Sequence, residues 1–412
     1  MIERLDTVII GGGQAGLAMS SQLRACKREH VILERERIAQ RWRSERWDSL
    51  CFQFPNSYIQ LPGKSYDGGD PEGFSHYASI VQFIEDYAVK ISAPVREGVE
   101  VTSLRQHSED GDYLLETSDR PVTAKHVIIA TGPFQRAFIP AFSKELPPAV
   151  YQVDASRYKN PDELPPGAVL VVGSGASGCQ IAEELYQCGR TVFLAVSRHR
   201  RVPRRYRGKD MVWWFERMGR LDVPVDSFPG RRYPPSTIIT GVNGGHDLDV
   251  RRFAAEGVTV LGHLEGAADG TLFTAANANQ ILTEADEACC NFISAADELA
   301  TKLELPSALP SAESVPQVGS SPTIDDRQEL KLRDANITSV VWAAGYRFSY
   351  EWLDLPILDG KGIPVQERGI TSCPGVYFLG LHWMHTFKSG LLPYVGQDAA
   401  YLAEHIDASA NG

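Results

Sequence analysis

The stretch Thr7-Val8-Ile9-Ile10-Gly11-Gly12-Gly13-Gln14-Ala15-Gly16 opens with residues of strand character and closes on glycines spaced G-x-G-x-x-G. The same grammar returns at Val169-Leu170-Val171-Val172-Gly173-Ser174-Gly175-Ala176-Ser177-Gly178. An apolar run, this spacing and then helix-forming residues read as strand, tight turn, helix, the context that gives the motif its meaning. The first glycine permits the turn, the second lets backbone N–H groups approach a pyrophosphate, and the third lets the helix pack closely on the strand. The helix N-terminus then presents its positive end to phosphate oxygens. Two such units predict an α/β chain with two Rossmann-like dinucleotide-binding domains. Two dinucleotides have a reason to share one chain when electrons pass between them.

The residues that end the second strand of each unit separate the two sites. His30-Val31-Ile32-Leu33 runs into Glu34, a carboxylate that accepts hydrogen bonds from ribose hydroxyls and repels a 2′-phosphate, as FAD or NAD requires. Thr191-Val192-Phe193-Leu194-Ala195-Val196 runs instead into Ser197-Arg198, with Arg200, Arg201, Arg204 and Arg205 close behind. A hydroxyl beside a guanidinium suits a 2′-phosphate. FAD is therefore expected on Gly11, Gly13, Gln14, Ala15, Gly16, Glu34 and Arg35. NADPH is expected on Gly173, Ser174, Gly175, Ala176, Ser177, Gly178, Ser197, Arg198 and Arg201. The basic run could also be a nucleic-acid or targeting patch. Its place at a cofactor-reading strand end in an acidic chain favours NADPH, with two of its arginines on phosphate and the rest solvated.

Composition bounds the rest. A chain of 412 residues is too long for one ordinary core, and 43% hydrophobic with 23% charged residues is a globular composition. A net charge of −11 argues against nucleic acid as the partner. The N-terminus enters a strand with no basic n-region, and apolar runs are strand-length, so neither a secretory signal nor membrane insertion is expected and the cytoplasm is the default compartment. The seven cysteines include no C-x-x-C, which excludes a thioredoxin-reductase-like dithiol; Cys289-Cys290 reads as two helix residues. His382 and His385 have a metal-like spacing but no companion ligands, so no metal is expected and a place near the flavin is the better reading. Met211 to Phe215 reads as core or pocket wall.

Along the chain, a helix from about Gln14 to Arg28 precedes Glu34, helix signals resume near Tyr77, and strands near Val99–Leu104 and Tyr113–Glu116 suggest a small antiparallel element. Asn160-Pro161-Asp162-Glu163-Leu164-Pro165-Pro166-Gly167 has the proline density of a boundary. His126–Gly132 and Ser339–Gly345 each run from a buried strand into a small-residue turn, and they read as the two crossings between domains. The expected division is an FAD domain at 1–160 and 335–412, interrupted by an NADPH domain at 161–334. The latter carries a mostly helical insert at about 265–322 that ends in a proline- and serine-rich loop. Gly396 to Ile406 closes the chain as a helix.

Together these residues resemble the two-dinucleotide-binding-domain flavoproteins, in particular bacterial relatives of the flavin-containing monooxygenases. Ala344-Gly345-Tyr346 resembles the family's Ala-Thr-Gly-Tyr, and Phe378-Leu379-Gly380 its closing strand. Ser389 to Ala400 resembles the segment that aims a helix at the flavin's pyrimidine edge. Arg41, Trp42 and Trp47 resemble the Gly-Gly-x-Trp wrap, with Ala39-Gln40 where glycines are usual. The resemblance adds Arg41, Trp42, Val101, Thr131, Gly132 and Gly380 to the FAD set. It implies an oxygen atom from O2 delivered through a C4a-peroxyflavin to a nitrogen, sulfur or ketone substrate, with NADP⁺ as a lid. Asn56 matches an asparagine placed beside the flavin and is the candidate donor to the peroxide; closing a turn after Pro55 is its other reading. The linker motif F-x-G-x-x-x-H-x-x-x-(W/Y) is kept only in Tyr158, with Asp154 at the histidine position. That departure counts against oxygenation and leaves the two-dinucleotide reading intact. An NADPH-dependent reductase or oxidase serving a partner, quinone or O2, and a non-catalytic redox sensor of a transporter, are the alternatives. A small-molecule substrate and O2 are the expected partners, and a homodimer is compatible with the sequence.

Overall fold

A computed structural model of the chain describes residues 2–107, 111–228, 236–305 and 324–410. The first unit is β1 (Glu3–Ile10), α1 (Gln14–Ala25) and β2 (His30–Glu34), followed by helix α2 (Tyr77–Lys90) and strand β3 (Val95–Glu97). Strands β4 (Val101–Gln106) and β5 (Tyr113–Thr117) pair antiparallel and lead to β6 (Val122–Ile129). The chain then builds a second sheet from β7 (Tyr151–Asp154), β8 (Ala168–Val172), helix α3 (Ala176–Gln187), β9 (Val192–Ala195) and β10 (Thr259–Leu261). Helix α4 (Ala278–Lys302) and strand β11 (Ile337–Trp342) follow, before β12 (Val376–Phe378) and α5 (Val395–Ala410) return to the first sheet.

The first sheet runs Leu353–Asp354, β4, β5, β6, β1, β2, β3, with β12 also paired to β6. The second is an all-parallel β7-β11-β8-β9-β10. Val8, Ile9, Val169, Leu170 and Val171 are wholly buried, as central parallel strands covered on both faces require. Register does the positional work. Ile10 sits opposite Leu33 and Ile129, and Ile129 opposite Phe378, so Gly11, Glu34, Ala130 and Leu379-Gly380 leave the sheet at one carboxyl edge. In the second sheet Val172 sits opposite Ala195 and Trp342, and Trp342 opposite Asp154.

Strands β7 and β11 belong to the second sheet, which moves both expected boundaries: the chain leaves the first sheet before residue 151 and returns after 342. The two Ala-x-Gly turns are not equivalent crossings. Each packs against the glycine turn of its own sheet: a Cβ on Gly11 would lie 2.7 Å from the Ala130 carbonyl oxygen, and one on Gly173 2.5 Å from that of Ala343. Small residues stand there because the backbones meet. The insert begins as a hairpin, Leu264–Ala268 with Thr271–Thr274, completed by Glu329–Lys331, and becomes helical only in α4. Gly266, Ala267 and Ala268 hid this hairpin, because small residues of low strand preference leave its alternation without a hydrophobic signal. The proline- and serine-rich stretch 306–322 lies outside the described residues. Cys289 and Cys290 are helix residues, and all seven cysteines are free thiols. Among the described residues no helix is long and apolar enough to cross a membrane, and no group of side chains could hold a metal.

Candidate active site

A cavity of about 590 Å³ opens at the carboxyl edge of the first sheet. Gly11, Gly13, Gln14, Ala15, Glu34, Arg35, Arg41, Trp42, Val101, Thr131, Gly132 and Gly380 all line it. Gly16 lies beneath: a Cβ there would come within 2.0 Å of the Gly11 carbonyl oxygen. Gly13 is different, since a Cβ would meet nothing within 4 Å; the space it leaves is the space a pyrophosphate needs. Among the described residues no side chain caps α1, whose N-cap is Gly13, so its first N–H groups remain available. Glu34 accepts the Gly12 N–H at 2.7 Å through Oε2 and the Glu36 N–H at 3.0 Å through Oε1, which fixes the carboxylate at the strand end. These residues fit an adenine dinucleotide held by its pyrophosphate and ribose.

The cavity's inner end is apolar. Trp42, Phe52, Phe54, Leu391 and Leu392 form it, with Gln53 and His382. Gln14 ties the walls together, accepting from Trp42 Nε1 at 3.1 Å and donating to the Gly390 carbonyl at 3.0 Å. Arg41 bonds Glu45 at 3.1 Å and reaches the carbonyls of Phe134 and Gln135. Gln135 donates to Thr131 Oγ1 and the Gly132 carbonyl, both at 3.0 Å, and accepts the Ser349 N–H at 2.7 Å. Gln135, Phe52, Phe54 and Trp352 escaped the sequence reading because they come from loops without a spacing signal. His382 packs edge-on against Phe134, and burial pushes its pKa down to about 4, so it is neutral at pH 7.

Around the second turn, the N-cap residue of α3 is Gly175, which has no side chain to cap it, and a Cβ on Gly178 would collide with the Gly173 carbonyl at 1.8 Å. Ser174 is fully buried. Its hydroxyl donates to the Ser197 carbonyl at 2.8 Å and accepts the Ser197 N–H at 2.9 Å, so the turn and the next strand end are one unit. His199 joins them with Nδ1 at 2.9 Å from Ser174 Oγ, and burial lowers its pKa. Gly175 and Ala176 begin α3, and Ser177, one residue on, also lines the flavin-side cavity. Both turns thus open on one space.

The basic run divides, and this corrects the reading of its arginines. Arg198 is exposed and, among the described residues, makes no ion pair. Arg201 is only 7% exposed and lies 2.9 Å from Asp249, 3.4 Å from Asp286 and 3.7 Å from Asp247. It is surrounded by carboxylates, with its Nε buried and without a hydrogen-bond partner, and does not present itself to a phosphate. Arg204 is buried with Asp210 at 2.9 Å, and Arg205 pairs with Glu72 at 3.1 Å. The expectation of a phosphate contact therefore fails for Arg201, and the expectation that the rest of the run is solvated fails for Arg204.

Asn56 is also corrected. It is 4% exposed and does not line the cavity. Its Nδ2 donates to the Asp70 carbonyl at 2.7 Å and to Tyr66 Oη at 3.3 Å, while Oδ1 accepts from Ser75 at 2.7 Å. Both amide hydrogens are committed to a turn, which leaves none for a peroxide. Asp154 accepts the Ser156 N–H at 2.9 Å and so closes an Asx turn at the end of β7; Tyr158 donates to Glu184 at 2.6 Å. The linker positions here are structural.

Two helix N-termini behind glycine turns, one carboxylate at the end of β2 and one shared cavity define a flavin- and pyridine-nucleotide-dependent oxidoreductase of two-domain architecture. The chain belongs to the pyridine nucleotide-disulphide oxidoreductase family, whose pattern it matches over residues 8–213. It is 33% identical over 406 residues to an uncharacterized CzcO-like oxidoreductase of Geobacillus kaustophilus, covering 98% of each chain. It is 30% identical over 195 residues to the probable indole-3-pyruvate monooxygenase YUCCA1 of Arabidopsis thaliana, covering 46% of each. Its fold matches a flavin-containing monooxygenase from Stenotrophomonas maltophilia with a TM-score of 0.68 at 19% identity, over 99% of this chain and 100% of the other.

Proposed function

We propose that this protein is an FAD- and NADPH-dependent monooxygenase that transfers one atom of O2 to the nitrogen, sulfur or carbonyl carbon of a small organic substrate. The observation that carries this reading is the single cavity reached by Gly13 of the first turn and Ser177 of the second. With no C-x-x-C in the chain and all cysteines free, electrons gathered there have no dithiol to enter, so they leave to a small molecule at the flavin. The monooxygenases among its relatives and structural neighbours support O2 as that molecule.

When bound, FAD supplies hydride acceptance from NADPH and activation of O2. The protein's own residues do the rest. The amides that follow Gly13 at the start of α1 would hold the pyrophosphate, and Glu34, oriented by the Gly12 N–H, would take the ribose. Ser197 and Arg198 read the 2′-phosphate of NADPH. Gln14 keeps Trp42 and Gly390 at fixed separation, and the Trp42, Phe52, Phe54 and Leu391 side chains exclude water from the inner end. His382, neutral at pH 7, adds no charge there. The test is NADPH oxidation under ¹⁸O2 with a panel of sulfides, amines and ketones, together with peroxide measurement. Labelled product with peroxide below NADPH consumed supports the reading. Stoichiometric peroxide and no labelled product with any probe makes the protein an oxidase or reductase, and absent hydride transfer makes it a sensor.

A further inference from the structure

Arg204 came from the run that was expected to face the pyridine nucleotide, yet it is 2% exposed. Its Nη1 donates to the Gln53 carbonyl at 2.6 Å, its Nε lies 2.9 Å from Asp210, and its guanidinium lies over the Phe74 ring at 4.1 Å. Nη2 is buried without a hydrogen-bond partner. Asp210 in turn accepts the Val212 N–H at 2.9 Å, capping the helix Met211–Arg217, and the Arg204 carbonyl accepts the Met211 N–H at 2.9 Å. The segment that follows the second turn's strand end is thereby riveted to Gln53. Gln53 stands between Phe52 and Phe54, and all three line the inner end of the flavin-side cavity.

A half-buried residue's carbonyl and a buried carboxylate that lose a guanidinium between them leave a polar void, and polar voids of that size fill with water. The void here would open behind the aromatic wall. We propose that Arg204 is a positioning residue that holds the Phe52–Phe54 wall from the second domain and keeps water out of it, governing how well the flavin is shielded and not how NADPH binds. Its consequence for oxygen transfer rests on the monooxygenase reading; its consequence for shielding does not.

The test uses full-length, FAD-loaded protein and compares Arg204→Met with Arg204→Lys. Methionine keeps length and loses every donor, whereas lysine keeps one donor for Gln53 and Asp210. Iodide quenching of bound-flavin fluorescence should rise several-fold in Arg204→Met and fall back part-way in Arg204→Lys, with flavin per chain and the KM for NADPH unchanged. Peroxide released per NADPH should rise in the same order. Unchanged quenching in Arg204→Met overturns the proposal, and so does a KM for NADPH that rises in step with the quenching. If Arg204→Met is recovered only as aggregate, Phe74→Leu removes the ring beneath the guanidinium and leaves both its bonds; it should raise quenching by a smaller amount, and no rise overturns the proposal. If the wild-type protein oxygenates no probe, the functional reading fails while the quenching comparison still decides the role of Arg204.

Discussion

Arg198 and Arg201 have the same side chain in the same run and opposite surroundings. A charge-assisted contact to a 2′-phosphate is worth about 1.5–3 kcal/mol, so Arg198→Ala should raise the KM for NADPH by roughly ten- to a hundred-fold and leave that for NADH nearly unchanged. Steady-state kinetics with both nucleotides checks it; equal effects would move the arginine off the phosphate. Arg201→Met should do the reverse. Removing one partner from a buried ion cluster typically costs about 3–5 kcal/mol, here by taking the guanidinium away from Asp247 and Asp249 and leaving Asp286 with Arg251 alone. A fall in the urea midpoint with an unaltered nucleotide preference is expected. His382 supplies a pH dependence. Its ordinary value is 6.5 and burial depresses it to about 4 in the folded chain. Between those values the unfolded chain binds a proton that the folded chain refuses, so stability falls as pH drops from 6.5 towards 4 and is flat above. In the cofactor-free protein, His382→Phe should lessen the slope of the urea midpoint across that window and leave the part that His30, His126 and His199, also depressed by burial, contribute; an unchanged slope would assign it to those groups alone.

The glycine turn and its helix behave as one element, in which each glycine answers a different demand. Gly13 has φ −87° with open space where its side chain would be, whereas a Cβ on Gly16 would come within 2.0 Å of the Gly11 carbonyl oxygen. Gly13→Leu should therefore fold with an ordinary thermal midpoint yet purify colourless, because leucine takes the space of the pyrophosphate. Gly16→Ala should destabilise the protein even without flavin, by about 1–3 kcal/mol or more, since overpacking displaces backbone. Flavin absorbance per chain and the melting of the cofactor-free variants separate the two. If Gly13→Leu keeps its flavin, the turn is not the FAD site. Gly178 at the start of α3 answers the same demand as Gly16, since a Cβ there would come within 1.8 Å of the Gly173 carbonyl oxygen.

Across the whole molecule, one cavity gathers the ends of β1, β2, β6 and β12 with loops from distant parts of the chain. A ligand that contacts all of these and binds only the folded state stabilises it by about 2.7 kcal/mol when present at a hundred times its dissociation constant. The melting midpoint of the cofactor-free protein should climb steadily with added FAD, and the Gly13→Leu variant should lose that climb. A midpoint indifferent to FAD would count against the cavity as a flavin site.

The sequence by itself determined the two strand–turn–helix units and the carboxylate of Glu34, because close backbone approach admits only glycine and ribose recognition needs an acid at a fixed strand end. It also excluded a dithiol centre, since that chemistry requires a local spacing that can be read directly. Tertiary structure decided what no local pattern encodes. Pairing placed β7 and β11 in the second sheet, because a short buried strand carries no label for the sheet it joins. Folding chose among the arginines, since whether a guanidinium meets solvent, three aspartates or a carbonyl depends on segments remote in sequence: Arg198 was left outside, Arg201 was neutralised by Asp247, Asp249 and Asp286, and Arg204 was driven against Gln53. Asn56 was settled the same way, its amide committed by Asp70, Tyr66 and Ser75. A donor's availability is the sum of its surroundings, and those exist only once the chain has closed around it.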